Sequence, residues 1–315
     1  MLQSGSSMNR TFRYLSPGMC GLFLAAVLLG PSGLSPATVA QQELSGITIT
    51  HQARARQPGE AVLISVASAI PLRAVSGRFL GTGVAFYPTQ DSSHWAALVG
   101  LDLEIQPGDH AVEITVTDPG GQTRMTAYPL RVQDKKFRTR TLRVRPKYVE
   151  PPPKVFARID RESRRMKEIF STASPERLWN GTFLRPVPGE ATSSFGVRSV
   201  FNGEPRSPHS GADFRASMGT PVQSPNAGRV VLATDLYFSG NCVILDHGQG
   251  LYSFFAHLSR IGVTEGDLVS AGDPIGDVGA TGRVTGPHLH WTVRLQEARV
   301  DPLSLMALPL DAAGR

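Results

Sequence analysis

PHLHWTVRL, residues 287–295, decides how the carboxy-terminal half folds. Along a β-strand, residues two apart project from one face, so His288 and His290 turn their imidazoles into one space while Leu289 points the other way. Upstream lie further short strand signals punctuated by glycine: RVVLATDLYF (229–238), NCVILDHG (241–248) and LYSFFAHLS (251–259). No long helical period interrupts them, so this half reads as nearly all β, with long loops around a compact sheet. The glycines of SAGDPIGDVGATG (270–282) tolerate positive φ and let tight turns bring strands and loops together.

The amino-terminal half is also β in texture. From Ile47 to Val132, short alternating or β-branched runs such as AVLISVAS (61–68) and HAVEITVTD (110–118) are separated by the turn signals QPGE, QPGD and DPGG. Turns at intervals of about ten residues predict an antiparallel sandwich of Ig-like type over 41–132. His51, His94 and His110 are scattered singly there and read as packing or surface residues. A basic, proline-rich connector follows, 133–182. Its stretch RPKYVEPPPK (145–154) favours a stiff extended spacer, and KVFARIDRESRRMKEIFS (154–171) repeats apolar residues at helical spacing, which predicts one amphipathic helix. A second all-β domain is expected over 183–305 and a tail over 306–315, so the fold class is mainly β in two domains joined by a linker helix.

Length and charge bound the rest. At 315 residues with 41% hydrophobic content, the chain can bury two ordinary cores. Arg10 and Arg13 precede the apolar run CGLFLAAVLLG (20–30), and small Ala40 ends a turn-rich stretch, which predicts a signal peptide over 1–40. That run is well short of the roughly 20 residues needed to cross a bilayer. The expected location is therefore exported, periplasmic or extracellular. Cleavage there leaves Cys242 alone, so no intramolecular disulfide is available, and it reads as a small buried strand residue. Residues 131–167 hold 14 basic against 4 acidic side chains, whereas 41–130 and 168–315 are mildly acidic. A basic connector on an exported protein suggests contact with an anionic wall or membrane surface, the alternative being a solvated spacer; nucleic acid is disfavoured as a partner.

Five residues carry candidate chemistry: His209 and Asp213 in HSGADF (209–214), His257 in FFAHLS, and His288 and His290. Imidazole and carboxylate bind zinc at roughly 2.0–2.2 Å, and a catalytic zinc takes three protein ligands and leaves one position for water. Five candidates for three positions leave two histidines beside the metal, which suits hydrolysis: one relays a proton and one stabilises an oxyanion. Spacing does not assign these parts.

These residues, with SSFGVR (193–198), GTPV, GRVV, NCVILDHGQGLYSFFAHLS, EGDLVSAGDPIGDVGATG and GPHLHWTV in order, resemble the LytM/lysostaphin-type zinc endopeptidases over roughly Phe183 to Leu305. That resemblance implies a zinc-dependent endopeptidase cutting amide bonds in peptidoglycan stem peptides or cross-links, with peptidoglycan as partner and one Zn2+ per catalytic domain. It implies His209, Asp213 and His290 as metal ligands and His257 and His288 as catalytic residues, and it matches His247 to a turn histidine. Phe255 stands where the family often has tyrosine, which bears on substrate fit. A regulatory module that activates other wall hydrolases is the alternative, but such relatives lack one or more of the five residues. A lipoyl-type carrier would need a lysine at the hairpin tip, and none follows Lys167.

Overall fold

The computed structural model describes residues 40–44, 46–143, 151–192 and 195–310. The expected signal segment lies outside them except for Ala40, as do the last five residues of the expected tail. The chain is mainly β, and among the described residues no helix is long and apolar enough to cross a membrane.

Alternating burial makes two sheets of the amino-terminal half. One orders Ala40–Leu44, Ile47–Gln52, Ala61–Ser68, His94–Gly100 and Tyr87–Pro88; the other orders Thr82–Ala85, Ala74–Phe79, Gly108–Thr117 and Thr123–Val132. Ile47 and Ile49 from the first, and Ile114, Val116 and Leu130 from the second, join one buried cluster. Each such side chain, fully buried, stabilises the fold by roughly 1.5–3 kcal/mol. His51 is buried among them and hydrogen-bonds the Tyr128 hydroxyl at 2.8 Å, while His94 and His110 bond Asp91 and the Gln106 carbonyl near the surface.

The carboxy-terminal sheet runs Ala191–Thr192, Gly211–Phe214, Leu289–Leu295, Leu251–Ile261, Gly240–Gly248, Gly228–Leu236 and Leu268–Val269, with three short strands attached off that path. Its two faces bury different partners. Phe214, Val243, Leu245, Phe255, Trp291 and Val293 join a cluster that also takes in Ala61, Leu63, Ala96 and Leu98, so one apolar core is continuous with the first sheet of the amino-terminal half. Polar ties cross the same seam: Arg299 bonds Asp102 at 2.6 Å and Glu104 at 2.7 Å, and Arg54 bonds Glu60 and Asp301. Asp301 also caps a short helix, Pro302–Met306, that the sequence did not signal.

On the opposite face, Leu232, Leu236, Ile244 and Tyr252 are covered by Met166, Ile169 and Phe170 of the helix Phe156–Ser171. The 166, 169, 170 spacing puts these three on one helical stripe, as expected. Prolines 152 and 153 lead into it through a 3-10 turn, where the fixed φ of proline suits a helix start. Its ion pairs, Arg158 with Asp235 and Arg165 with Glu265, are partly exposed and contribute at most about 1 kcal/mol each, so the apolar stripe holds the helix down.

Residues 145–150 of the expected stiff spacer lie outside the described residues, while both ends of the connector are tied to the sheets. Thr139–Leu142 adds in parallel to Arg198–Phe201, and Phe137 lies where a side chain at Gly196 would project. An open strand edge with unpaired backbone groups readily accepts such an addition. At the other end Trp179 is buried in the core and meets Tyr87 edge-on at 5.2 Å.

His247 is fully buried, donating Nδ1–H to the Ala227 carbonyl at 2.7 Å and accepting from the Ser253 hydroxyl at Nε2. Burial pushes it down from 6.5 to about 4. The unfolded chain therefore takes up the proton first as pH falls, and stability present above pH 6.5 is lost toward pH 4. This site alone should remove about 3 kcal/mol across that window. Urea midpoints measured at pH 7.5 and pH 5 will fall further in the wild type than in His247→Gln; equal falls would exclude His247 as the cause.

Candidate metal centre

Strand register sets the floor of the site. Gly211–Phe214 pairs antiparallel with Leu289–Leu295, putting Asp213 opposite His290 and Ala212 opposite Trp291. On the other flank Leu251–Ile261 puts Ala256 opposite His290 and Phe255 opposite Trp291. Directly paired residues share a face, so Asp213, His290 and Ala256 face one way while Trp291 and Phe255 face the core. Phe255 is fully buried and stacks on Trp291 with ring planes 9° apart, so its missing hydroxyl bears on core packing and not on substrate.

Close approach of the two strands depends on Gly211. A Cβ there would stand 2.5 Å from the Trp291 carbonyl oxygen and 2.8 Å from His290 Cε1, distances no side chain tolerates. The preceding loop carries His209, whose N–H donates to Val197 O at 3.0 Å and whose carbonyl accepts from Gly196 at 2.7 Å. These bonds fold His209 back over Asp213.

Three donor atoms then converge. His209 Nε2 lies 3.1 Å from His290 Nδ1 and 3.1 Å from Asp213 Oδ1, and His290 Nδ1 lies 2.9 Å from the same oxygen. Metal–ligand bonds of roughly 2.0–2.1 Å in a tetrahedron separate ligands by about 3.3 Å, so this near-equilateral triangle is the right size to hold a metal ion. The residues form the one His/Cys/Asp/Glu group of that kind among the described residues. Thr292 orients the ring of His290: with Nε2–H donated to Thr292 Oγ1 at 2.9 Å, Nδ1 turns its lone pair inward. Burial raises the Asp213 carboxyl, but its bonds with His209 and His290 outweigh that and hold it well below the usual carboxylate range, so it is an anion facing two imidazoles. Burial likewise lowers His290.

His257 and His288 complete the constellation. Strict alternation after Ala256 would send His257 into the core with Phe255. Instead it adopts φ 67°, and its N–H bonds Ser239 O at 2.9 Å. A left-handed non-glycine residue of this kind costs about 1–3 kcal/mol and is retained where surroundings enforce it. The ring swings back to the site, 5.0 Å from His288 and 5.9 Å from His290 between centroids. Its Nδ1 donates to Thr281 O at 3.0 Å, and the Thr281 hydroxyl is itself fixed, donating to Leu258 O at 2.7 Å. His288 donates Nδ1–H to Gly286 O at 2.9 Å and brings Nε2 to 3.9 Å from Asp213 Oδ1. Burial, reinforced by His290, pushes His257 down to about 4. His209, Asp213, His288 and His290 keep between 15% and 26% of their side-chain surface accessible, so a small molecule can reach them.

All five residues singled out in the sequence therefore meet, and His247, bonded on the opposite face of its strand, does not. Thr292, Thr281 and Gly211 were not foreseen. Thr292 was open to inference, since it follows His290 by two residues on the same strand; Thr281 and Gly211 act through pairings that only the fold supplies.

Comparison with known proteins bears on the same residues. The family described as Peptidase family M23 matches residues 207–302. A crystal structure from Pseudomonas aeruginosa assigned to peptidase M23 is 32% identical and covers 80% of this chain and 95% of that one, at a TM-score of 0.63. Peptidoglycan DD-endopeptidase ShyA of Vibrio cholerae serotype O1 is 46% identical over 84 residues, 27% of this chain and 20% of that protein. DD-carboxypeptidase/endopeptidase Mpg of Neisseria meningitidis serogroup B is 42% identical over 101 residues, 32% of this chain and 23% of that protein. The matched stretch thus spans about a fifth of the length of these two curated relatives.

Proposed function

The chain belongs to peptidase family M23, and from that membership we propose that it is an exported, zinc-dependent endopeptidase hydrolysing amide bonds in peptidoglycan stem peptides or cross-links. The convergence of His209 Nε2, Asp213 Oδ1 and His290 Nδ1 beside two further histidines carries this reading. The names of the ShyA and Mpg relatives support the peptide-cleaving chemistry and its wall substrate. A purely regulatory module is disfavoured, because no member of the constellation is missing.

His209, Asp213 and His290 would hold the ion, a donor set of two imidazoles and a carboxylate that suits zinc. Bound there, zinc supplies Lewis acidity that makes water a nucleophile near neutral pH and polarises the substrate carbonyl. Thr292 keeps the coordinating nitrogen of His290 aimed inward. His257 and His288 each commit Nδ1–H to a backbone carbonyl, which leaves Nε2 on the opposite edge of each ring to exchange protons. One accepts a proton from the attacking water and passes it to the departing amine, and the other stabilises the charge that develops on the carbonyl oxygen. The sandwich and the basic connector, 41–182, would set how the cleft meets an anionic wall.

Digestion of purified sacculi by the mature protein tests the reading. Mass analysis should find fragments with new amine and carboxyl ends, absent when a chelator is present and restored by added zinc. Unchanged digestion after chelation would sink the metal-dependent reading.

A further inference from the structure

The three residues of the triangle are not held alike. Asp213 and His290 lie within paired strands, whereas His209 lies on the loop 206–210 that precedes Gly211. His290 has Thr292 to fix its ring, but His209 Nδ1 is buried with no hydrogen-bond partner among the described residues. The backbone of His209 therefore decides where its ring stands. That backbone is tied at two points: its N–H donates to Val197 O at 3.0 Å, and its carbonyl accepts from the Gly196 N–H at 2.7 Å. Whatever holds residues 196–197 also places His209.

What holds them comes from the connector, outside the family-matched stretch 207–302. Immediately beyond Val197, the Arg198 N–H donates to Arg138 O at 2.9 Å, Arg198–Phe201 pairs in parallel with Thr139–Leu142, and Arg140 Nε donates to Ser199 Oγ at 2.9 Å. Two aromatic rings close the joint. Gly196 has φ 77°, and a Cβ there would collide with the Phe137 ring, standing 2.8 Å from Cγ with other ring carbons nearer, so the ring packs on bare glycine backbone. Phe137 meets Phe195 edge-on at 6.3 Å, and Phe195 in turn fills the space over Gly59, which has φ 87° in a turn of the amino-terminal half. Lys135 anchors the start of this segment, with Nζ 3.5 Å from the buried Glu60 carboxylate and 5.1 Å from the centre of the Phe137 ring. A chain of contacts thus runs from Gly59 through Phe195, Phe137 and Gly196 to His209.

We propose that Phe137 is a positioning residue for His209: packed on Gly196, it clamps residues 196–197 and keeps the His209 imidazole in the triangle before any ion binds. This rests on the metal-dependent reading above. A ligand held in place in advance needs no ordering when the ion arrives, and that saving appears as affinity. Without the ring the contact at Gly196 is lost, and the loop 206–210 can carry His209 away from Asp213 and His290. The loss falls on metal affinity and not on the chemistry of the loaded site, because Phe137 supplies the position of a backbone and not a group that reacts.

The test uses the full chain and zinc dissociation constants measured by competition with a chromogenic chelator. Phe137→Ala should weaken zinc about 10- to 100-fold, the usual worth of a group that orients a ligand. Phe137→Tyr, which keeps the ring, should stay near the wild type, and the milder Phe137→Leu should fall between and gives the answer where Phe137→Ala does not fold. Val116→Ala controls for general destabilisation: it opens a cavity in the amino-terminal core, lowers the melting temperature and should leave zinc affinity unchanged. At saturating zinc, turnover of sacculi by Phe137→Ala should return close to the wild type. A readout without metal is hydrogen exchange of the chelated protein: residues 196–210 exchange faster in Phe137→Ala, while Leu289–Leu295 does not change. Unchanged zinc affinity or unchanged exchange in Phe137→Ala, or an equal loss of zinc in Val116→Ala, overturns the clamp and leaves the endopeptidase reading standing. Wild-type protein that takes up no zinc overturns both.

Discussion

His209→Ala and Asp213→Ala proteins, purified in parallel with the wild type, will carry little zinc and lose at least about a thousandfold in turnover on sacculi. The geometry accounts for the severity. Three atoms spaced 2.9–3.1 Å apart would supply every protein ligand, so removing one would leave a two-point site. Asp213 matters doubly: it is the only anion in the triangle, and without it two imidazoles face a divalent cation with no compensating charge. Elemental analysis of the purified variants, with a thermal melt to establish folding, checks this. Stoichiometric zinc in folded His209→Ala would contradict the ligand assignment.

A second pair of substitutions separates holding the metal from using it. His257→Ala and His288→Ala will retain zinc yet lose about 10²- to 10⁴-fold in kcat, the usual worth of a positioned proton-transfer group. Neither ring supplies an atom to the triangle, and both lie against it, His257 at 5.9 Å from His290 and His288 with Nε2 at 3.9 Å from Asp213. Because the loss falls on the chemical step, KM should move little. Zinc loss in parallel with activity in either variant would instead make that histidine a ligand.

Much of this site was legible because the period of a strand is short. His288 and His290, two apart, needed no fold to share a space, and HSGADF offered an imidazole and a carboxylate four apart at the start of a strand. His257 shows where that reasoning stops. Counting from Ala256, alternation turns it inward, and only the positive φ at His257 brings it to the cleft. Nothing local announces that reversal; it is enforced by the bonds to Ser239 and Thr281, both remote in sequence. Phe255 illustrates the converse: it stands where the family resembled often has tyrosine, which pointed to substrate fit, while its register partner Trp291 holds it in the core. Apolar patterning likewise identified the strands of both halves but not their mutual partner, because a buried face carries no label for what buries it. The pairing of Thr139–Leu142 is hidden for the same reason: the segment is polar, and only the open edge at Arg198–Phe201 makes it a strand.

Leu63 and Ala96 belong to the amino-terminal sheet, yet they touch the same apolar mass that underlies Trp291, the residue between His290 and Thr292. The footing of this pocket is therefore poured partly by segments far from the five candidate residues. Any change that loosens the distant sheet is transmitted into the floor beneath His209, Asp213 and His290, and loss-of-function lesions need not cluster near the histidines.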